Sequence, residues 1–260
     1  MSLLAAPPPS GIRRTPVLRA VLAQARMELR LLLRSGESLL VTVGIPLGLL
    51  VFFSIVEDVL PTGGREAVDF LVPGVLAISV MSTGLVSLAI ATAFERKYGV
   101  LKLLGGSPLP RGGLLAAKAL AVLAVLAAQA TLVLVVAAAG LGWEPGGGVL
   151  AVIVALVAGT ATFSAIGLLV AGTLRAEGTL AAVNALFLVL LLISGLAFDA
   201  DALPGPLAAL GRALPAGALG EALRAALDDP GRLAARPLGV LLSWGAVASA
   251  VASRTFRWEP

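Results

Sequence analysis

Long apolar stretches separated by short polar segments run along most of the chain. A helix needs about 20 mainly apolar residues to cross a hydrocarbon core of about 30 Å, and most of the stretches reach or approach that length. The stretches are residues 39–56, 70–93, 119–141, 149–174, 180–198 and 238–252, of which the last is the shortest. The pattern predicts an all-α integral membrane protein, with one transmembrane domain over residues 1–260 and six spanning helices.

The segment before the first apolar stretch divides into two parts. Residues 1–16 contain a run of prolines and are predicted to form a flexible polar arm. Residues 17–34 are predicted to form an amphipathic elbow helix in the headgroup layer, with its arginines toward anionic lipid. The alternative is a cytoplasmic extension of the next helix. The basic face carries Arg19, Arg26, Arg30 and Arg34, and the apolar face carries Leu18, Leu22, Ala25, Leu29 and Leu33.

Residues 199–236 form the longest segment without a continuous apolar run, and prolines and acidic residues interrupt it. Two short amphipathic helices are predicted within it, at residues 207–214 and 218–227. They are too short to span a bilayer and too apolar to form a free loop. We therefore expect them to be partly immersed at the outer interface, as re-entrant or surface helices.

Charge sets the orientation of this arrangement. Hydrophobic residues make up 58% of the chain and charged residues 13%, against about 25% charged in soluble domains. Most of the 19 basic residues lie on one side of the predicted topology, and most of the 15 acidic residues lie on the other. The positive-inside rule therefore predicts a multi-pass protein of the cytoplasmic membrane, with both termini, residues 94–118 and Arg175 in the cytoplasm.

Residues 94–118 hold the densest charge after the N-terminal arm. Glu95, Arg96 and Lys97 come first, and apolar residues at helical spacing follow before glycines and prolines end the helix. A short helix at the membrane surface between two spans suits contact with a soluble partner. The alternative is an ordinary positively charged loop that only orients the protein. The residues predicted to face a partner are Glu95, Arg96, Tyr98, Gly99, Val100, Leu101 and Leu104.

Several kinds of chemistry lack the residues they need. The sequence has no His and no Cys, it has no G-x-x-x-x-G-K-[ST] phosphate-binding loop, and no carboxylate lies inside a predicted span. These features disfavour a metal site, an intramembrane enzyme and a proton-driven pump, and the spans show no polar stripe that would indicate a channel. A largely uncharged interior favours an apolar or amphiphilic cargo. The candidate substrate-pathway residues are Thr83, Ser87, Gln129, Asn184, Phe187 and Ser194, with hydrogen bonding between helices as the alternative role.

The charged stretch also carries a specific motif, E-R-x-x-G-V-L followed by L-L, S-P-L, an arginine and a lysine. The motif resembles that of the membrane subunit of type-2 ABC exporters. The order of elements around it extends this resemblance along nearly the whole chain. The C-terminal tail F-R-W-E resembles the drug-resistance branch, which includes daunorubicin-type exporters. The matching positions are Glu95, Arg96, Gly99, Val100, Leu101, Leu103, Leu104, Ser107, Pro108, Leu109, Arg111 and Lys118.

The resemblance implies a mechanism. Residues 94–118 would contain a coupling helix that contacts a separate ABC ATPase subunit, which would bind ATP and Mg, while this chain would bind no cofactor. Two copies of each subunit would form the complete exporter, with this chain as a homodimer. Two alternatives remain open at this point. One is export of a lipid-linked glycan or cell-envelope lipid on the same fold, and the other is a non-transporting scaffold or channel.

Overall fold

The computed structural model describes residues 17–34, 40–55, 67–105, 110–144, 146–196, 204–228 and 233–256. The predicted arm at residues 1–16 and the tail residues 257–260 lie outside this part of the chain. Within it the secondary structure is helical, which confirms the predicted all-α class. The helices are α1 Val17–Arg34, α2 Ile45–Ile55, α3 Ala67–Lys97, α4 Val100–Gly105, α5 Arg111–Gly140, α6 Val149–Thr173, α7 Ala176–Ile193, α8 Gly205–Ala213, α9 Pro215–Asp228 and α10 Ala235–Thr255.

Among the described residues, five helices are long and apolar enough to cross a membrane, namely α3, α5, α6, α7 and α10. Of the first predicted span, residues 39–56, the structure describes residues 40–55. These consist of a π-helical turn at Leu40–Gly44 and the 11-residue helix α2. Pro46 lies just after the π-helical turn, where its missing amide hydrogen removes one α-helical bond. The sixth span therefore stays a prediction.

The spanning helices extend beyond the apolar stretches that predict them. Helix α3 continues to Lys97, and a π-helical segment, Met81–Ser87, lies within it. Helix α5 begins at Arg111, inside the stretch predicted as a coupling region, and α10 is 21 residues long. Hydropathy marks the width of the hydrocarbon layer, whereas backbone hydrogen bonding continues into charged residues whose long side chains reach the aqueous phase. The helices accordingly extend past the predicted span boundaries at 93, 119 and 238, and those boundaries of the membrane-embedded part stay predictions.

Helix α6 lies at the centre of the bundle and packs against α3, α5, α7, α9 and α10. Small residues allow these close approaches. A Cβ at Gly167 would lie 2.9 Å from the carbonyl oxygens of both Gly84 and Leu85, and a Cβ at Gly245 would lie 2.8 Å from the Thr162 hydroxyl. The fully buried Phe163 lies in the same region of α6. Helix α6 therefore serves as the core against which the other spans are placed.

The connections place the helix ends in two groups. Helices α3, α6 and α10 end, and α5 and α7 begin, at the same end of the bundle as α1 and α4, which we call the Lys118 end. Helices α8 and α9 occupy the opposite end, which we call the Arg224 end, in the stretch where the sequence predicts two short helices. Helix α9 is largely buried against α3, α6 and α10.

Candidate functional site

Lys118 is the centre of a buried cluster of charged side chains at the Lys118 end. It lies two turns into α5 and is only 2% exposed. Its Nζ atom is 3.0 Å from Glu28 Oε1 and 2.7 Å from Glu95 Oε2. The two carboxylates thus share one ammonium group, and Gln24 Nε2 also donates to Glu28 Oε1 at 2.9 Å. Because a buried charge is stable only when it is paired, this cluster joins α1, α3 and α5 firmly.

Arg96 and Lys97 reach from the end of α3 to the turn between α6 and α7. Arg96 is 5% exposed, and its Nη2 donates to the carbonyl oxygen of Leu174, the residue that ends α6. A cation at this position also suits the partial negative charge at a helix C-terminus. Lys97 forms an ion pair with Glu177 in the first turn of α7, and both side chains are exposed. The end of α3 is therefore tied to α6 and α7 on one side and to α1 and α5 on the other.

The turn between α3 and α4 shapes the surface at this end. Gly99 has a φ angle of +75° and its amide donates to Arg96 O, so the chain reverses direction immediately after α3. Tyr98 is 71% exposed and its ring stacks on Phe94 with centroids 6.1 Å apart. Val100 is 38% exposed, whereas Leu101 is 1% exposed and faces the protein interior. An outward-facing aromatic and apolar patch therefore remains at Tyr98 and Val100.

The structure assigns the predicted partner-contacting residues to different environments. Tyr98, Gly99 and Val100 lie at the surface, while Arg96 and Leu101 are buried within this chain. The expectation that the Glu95 and Arg96 side chains are available to a partner needs correction, because both form bonds inside the chain. The side chain of Leu104 lies outside the described residues. A role of this stretch in contacting a partner stays a prediction.

Sequence reasoning did not identify the cluster around Lys118. Lys118 matches a position of the family motif, but no role is predicted from the sequence for Lys118 or for Glu28. Two signals point to both residues: a lone lysine inside an apolar helix, and a lone acid in an arginine-rich helix. Neither charge can be buried by itself, so each needs a partner of opposite sign from another helix. The partners become visible only when α1 and α5 are packed together.

The predicted substrate-pathway residues are spread over the bundle. Thr83, Gln129 and Ser194 are buried, and Asn184 is exposed on α7. Gln129 Nε2 donates to the Ser79 hydroxyl at 2.9 Å, which matches the alternative role in bonding between helices. Ser87 and Phe187 are half-buried.

A cleft of about 590 Å³ lies elsewhere, between α5 and α6. Its walls are apolar, with Trp143 and Leu227 among the residues that line it. None of the six predicted substrate-pathway residues lines this cleft. Their participation in transport therefore remains a prediction.

The Arg224 end contains a different kind of junction, around the turn that follows α7. Arg224 Nη2 donates to the carbonyl oxygen of Gly195 at 2.5 Å, and the guanidinium lies 5.5 Å from the centroid of the Phe70 ring. Gly195 has a φ angle of +68°, the left-handed conformation common just after a helix. The backbone of Ile193–Leu196 is packed against three glycines that belong to three helices, Gly74, Gly211 and Gly217, and the side chain of Leu196 is packed against Gly220.

These features define a class of protein. The described residues contain no group of His, Cys, Asp and Glu side chains that could hold a metal ion. The charged residues gather at the ends of apolar helices long enough to cross a membrane. The chain is therefore a multi-pass helical membrane protein with an ion-paired junction at one end.

Comparison with known families makes the assignment specific. The sequence profile of the family described as ABC-2 type transporter matches residues 19–227, which extend from α1 into α9. The chain belongs to this family and is the membrane subunit of an ABC transporter, a transport protein rather than an enzyme. Members of this family normally work with an ATPase partner. No curated protein matches the chain.

Proposed function

We propose that this chain is the permease subunit of an exporter that moves an apolar or amphiphilic compound, drug-like or lipid, out across the cytoplasmic membrane. A separate ABC ATPase supplies the energy from ATP. The observation that carries the proposal is the exposed patch of Tyr98 and Val100, held on the turn after α3, whose last residues are connected by ion pairs to three other helices, α1, α5 and α7. A soluble subunit that pushes on this patch displaces the ends of α1, α3, α5 and α7 together.

The Lys118 end is the cytoplasmic end in this proposal. The exposed arginines of α1, Lys97, Arg175 and Arg254 lie there, and an excess of basic residues favours the cytoplasmic side. The Arg224 end then faces the outside, where cargo leaves. This orientation places the patch of Tyr98 and Val100 in the compartment that contains ATP.

A homodimer with two ATPase subunits is the assembly we propose. Asn184 supports it, because this residue lies near the middle of α7 on a face that is exposed in the single chain. Its Nδ2 atom donates to Leu180 O at 2.8 Å, but hydrocarbon offers no donor for its side-chain oxygen. A second copy of the chain, or a cargo bound between two copies, supplies such a donor, whereas lipid does not.

The test uses two substitutions of Gly99 that separate bulk from backbone strain. Gly99→Ala and Gly99→Trp both force a side chain into a φ of +75°, and a Cβ at this position meets no atom within 4 Å. Only the tryptophan adds a large group to the surface beside Tyr98. After reconstitution with the cognate ATPase, we expect Gly99→Trp to lower co-purification and substrate-stimulated ATP hydrolysis several-fold, with Gly99→Ala close to wild type.

Tyr98 provides a second matched pair. Tyr98→Ala removes the exposed ring and should weaken association with the ATPase, while Tyr98→Phe keeps the ring and should not. Membrane levels and thermal unfolding of all four variants serve as controls for folding. Wild-type export by both Gly99→Trp and Tyr98→Ala, at wild-type expression, would show that this patch is not the contact surface.

A further inference from the structure

Helix α1 has three distinct faces in the structure. One face is buried against α5 and includes Val21, Ala25 and Glu28. The other two are exposed, and they differ in chemistry. The basic face consists of Arg19, Arg26, Arg30 and Arg34, and the apolar face of Leu18, Leu22 and Leu33. Two exposed faces of this kind suit a position where headgroups and acyl chains meet.

The acidic residue of α1, Glu28, does not neutralise the positive charge of the arginines on the exposed side of this helix. Glu28 is 9% exposed, and its carboxylate is paired with Lys118. Within the part of the chain that the structure describes, no carboxylate forms an ion pair with any of the four arginines. The exposed side of α1 is therefore strongly positive, and its charge is complementary to an anionic surface.

The arginines lie beside apolar side chains rather than in a purely polar patch. Arg30 and Arg34 line the same surface depression as Met27, Leu31 and Leu33. A soluble anion would neutralise the guanidinium groups but leave these apolar side chains in water. An anionic phospholipid satisfies both, because its headgroup meets the arginines while its acyl chains cover the apolar residues.

The buried face of α1 connects this surface to the rest of the Lys118 end. Lys118 holds Glu28 of α1 and Glu95 of α3 at once, at 3.0 and 2.7 Å. Glu95 lies three residues before Tyr98, in the last turn of α3. A shift of α1 that is large enough to move Glu28 must carry Lys118 and Glu95 with it or break a buried pair.

We propose that α1 is a lipid-responsive element of this protein. Anionic phospholipid of the cytoplasmic leaflet binds at Arg26 and Arg30, and the Glu28–Lys118–Glu95 cluster transmits its occupancy to the surface around Tyr98. The functional meaning of this link rests on the proposed orientation and the proposed ATPase contact. Lipid binding and its effect at Tyr98 can nevertheless be measured on this chain without any ATPase.

The first experiment measures binding. The purified chain is placed in nanodiscs of phosphatidylcholine with increasing phosphatidylglycerol, and the midpoint of thermal unfolding is recorded. Ligand that binds the folded state raises this midpoint. Phosphatidylglycerol should raise it for wild type and should lose most of this effect in Arg26→Gln/Arg30→Gln, because each arginine near an anionic surface changes affinity by about fivefold.

The matched control removes the same number of exposed arginines from the opposite end, as Arg212→Gln/Arg236→Gln. It should respond to phosphatidylglycerol like wild type. An equal response of the α1 double variant and the control would overturn the proposal. Stabilisation of the detergent-solubilised chain by inorganic phosphate, to the extent seen with phosphatidylglycerol, would also overturn it, since the site would then recognise a soluble anion.

The second experiment measures transmission. The chain has no cysteine, so an environment-sensitive fluorophore can be attached at position 98 alone, after Tyr98→Cys. Phosphatidylglycerol should change its emission, and phosphatidylcholine should not. The change should disappear in Glu28→Gln/Lys118→Met/Glu95→Gln, which neutralises the whole cluster, while the lipid-dependent rise in unfolding midpoint persists. An undiminished emission change in that triple variant would show that the cluster does not carry the signal.

Discussion

The two ends of the bundle are held together by different physical means. At the Lys118 end, long charged side chains reach across gaps between helices, as Lys118 does to Glu28 and Glu95. At the Arg224 end, the backbone of Ile193–Leu196 touches glycines of α3, α8 and α9 directly. Arg224 adds a hydrogen bond to that turn. The contacts with the glycines are made by backbone atoms, which cannot move aside by a change of side-chain rotamer.

This difference indicates which end can rearrange. Side chains that bridge a gap can change rotamer or exchange partners. The helices that they join can therefore shift relative to one another. Backbone packed on glycine has no such freedom, because interiors at this density leave no space for a partial shift. We infer that α7, α8, α9 and the part of α3 around Gly74 move as one body, and that changes between helices are concentrated at the Lys118 end.

The largest expected effect tests the glycine junction. A Cβ at Gly211 would overlap the carbonyl oxygen of Ile193, which belongs to the backbone, so Gly211→Val should lower the free energy of unfolding by about 5 kcal/mol or more. Gly239→Ala in α10 is the matched control, since a Cβ there meets no atom within 4 Å. Thermal unfolding in detergent and the yield of folded protein measure both. Equal stability of the two variants would contradict the packing described here.

The next effect tests the ion-paired junction. Lys118→Met leaves the buried carboxylate of Glu28 and the half-buried carboxylate of Glu95 without their cation and should cost about 3–5 kcal/mol of unfolding free energy. Neutralising the carboxylates as well, in Glu28→Gln/Lys118→Met/Glu95→Gln, should recover most of this loss. Thermal unfolding of both variants under one set of conditions gives the comparison. A triple variant as unstable as Lys118→Met would mean that Lys118 matters for its shape rather than its charge.

Hydropathy and periodicity predict much of this fold, including some helix boundaries, but not its local departures from α-helical geometry. Helix α1 covers residues 17–34 as predicted, and α6 ends one residue from its predicted limit at 174. Both have sharp boundaries in the sequence. In contrast, the sequence does not predict the π-helical segment Met81–Ser87, because Ser, Thr and Gly residues such as those it contains also occur in α-helical spans. What distinguishes it is contact with α6, where Gly167 meets the backbone of Gly84 and Leu85.

The candidate site is predictable as a region but not as a set of roles. The charge density of residues 94–118 and the glycine at position 99 indicate a turn at the membrane surface. Which charges face inward depends on helices distant in the chain. Glu95 is paired with a residue 23 positions later and Lys118 with one 90 positions earlier, and local periodicity carries no information about either.

A moderate expected loss of unfolding free energy tests the contribution of the Arg224 side chain to the Arg224 end. Arg224→Met removes a charge-assisted hydrogen bond to Gly195 O and the contact with the Phe70 ring, and it should cost about 1.5–3 kcal/mol. Arg224→Lys keeps the charge and should lose less. Thermal unfolding ranks the two against Gly211→Val. If Arg224→Met proves more damaging than Gly211→Val, the glycine contacts are not the main connection at this end.

The smallest expected effect on stability concerns the exposed ion pair of Lys97 and Glu177. It tests whether the ion pairs at the Lys118 end stabilise the fold because they are buried or through their charge alone. The two side chains are 45% and 67% exposed, whereas Lys118 is 2% exposed. Water and salt screen exposed pairs, and ordering two long side chains offsets much of their attraction. Glu177→Gln should therefore leave the unfolding midpoint unchanged within error at 0.15 M and at ~1 M salt.

Glu95→Gln is the matched variant for this last comparison, because it makes the same chemical change on a carboxylate that Lys118 contacts directly. It should lower the midpoint at both salt concentrations, since salt has little access to a pair whose cation is buried. The turn between α6 and α7 would then depend on Arg96, whose buried guanidinium bonds Leu174 O, rather than on the ion pair beside it. Equal losses in Glu177→Gln and Glu95→Gln would instead show that net charge at this end, and not the buried geometry around Lys118, holds the helices together.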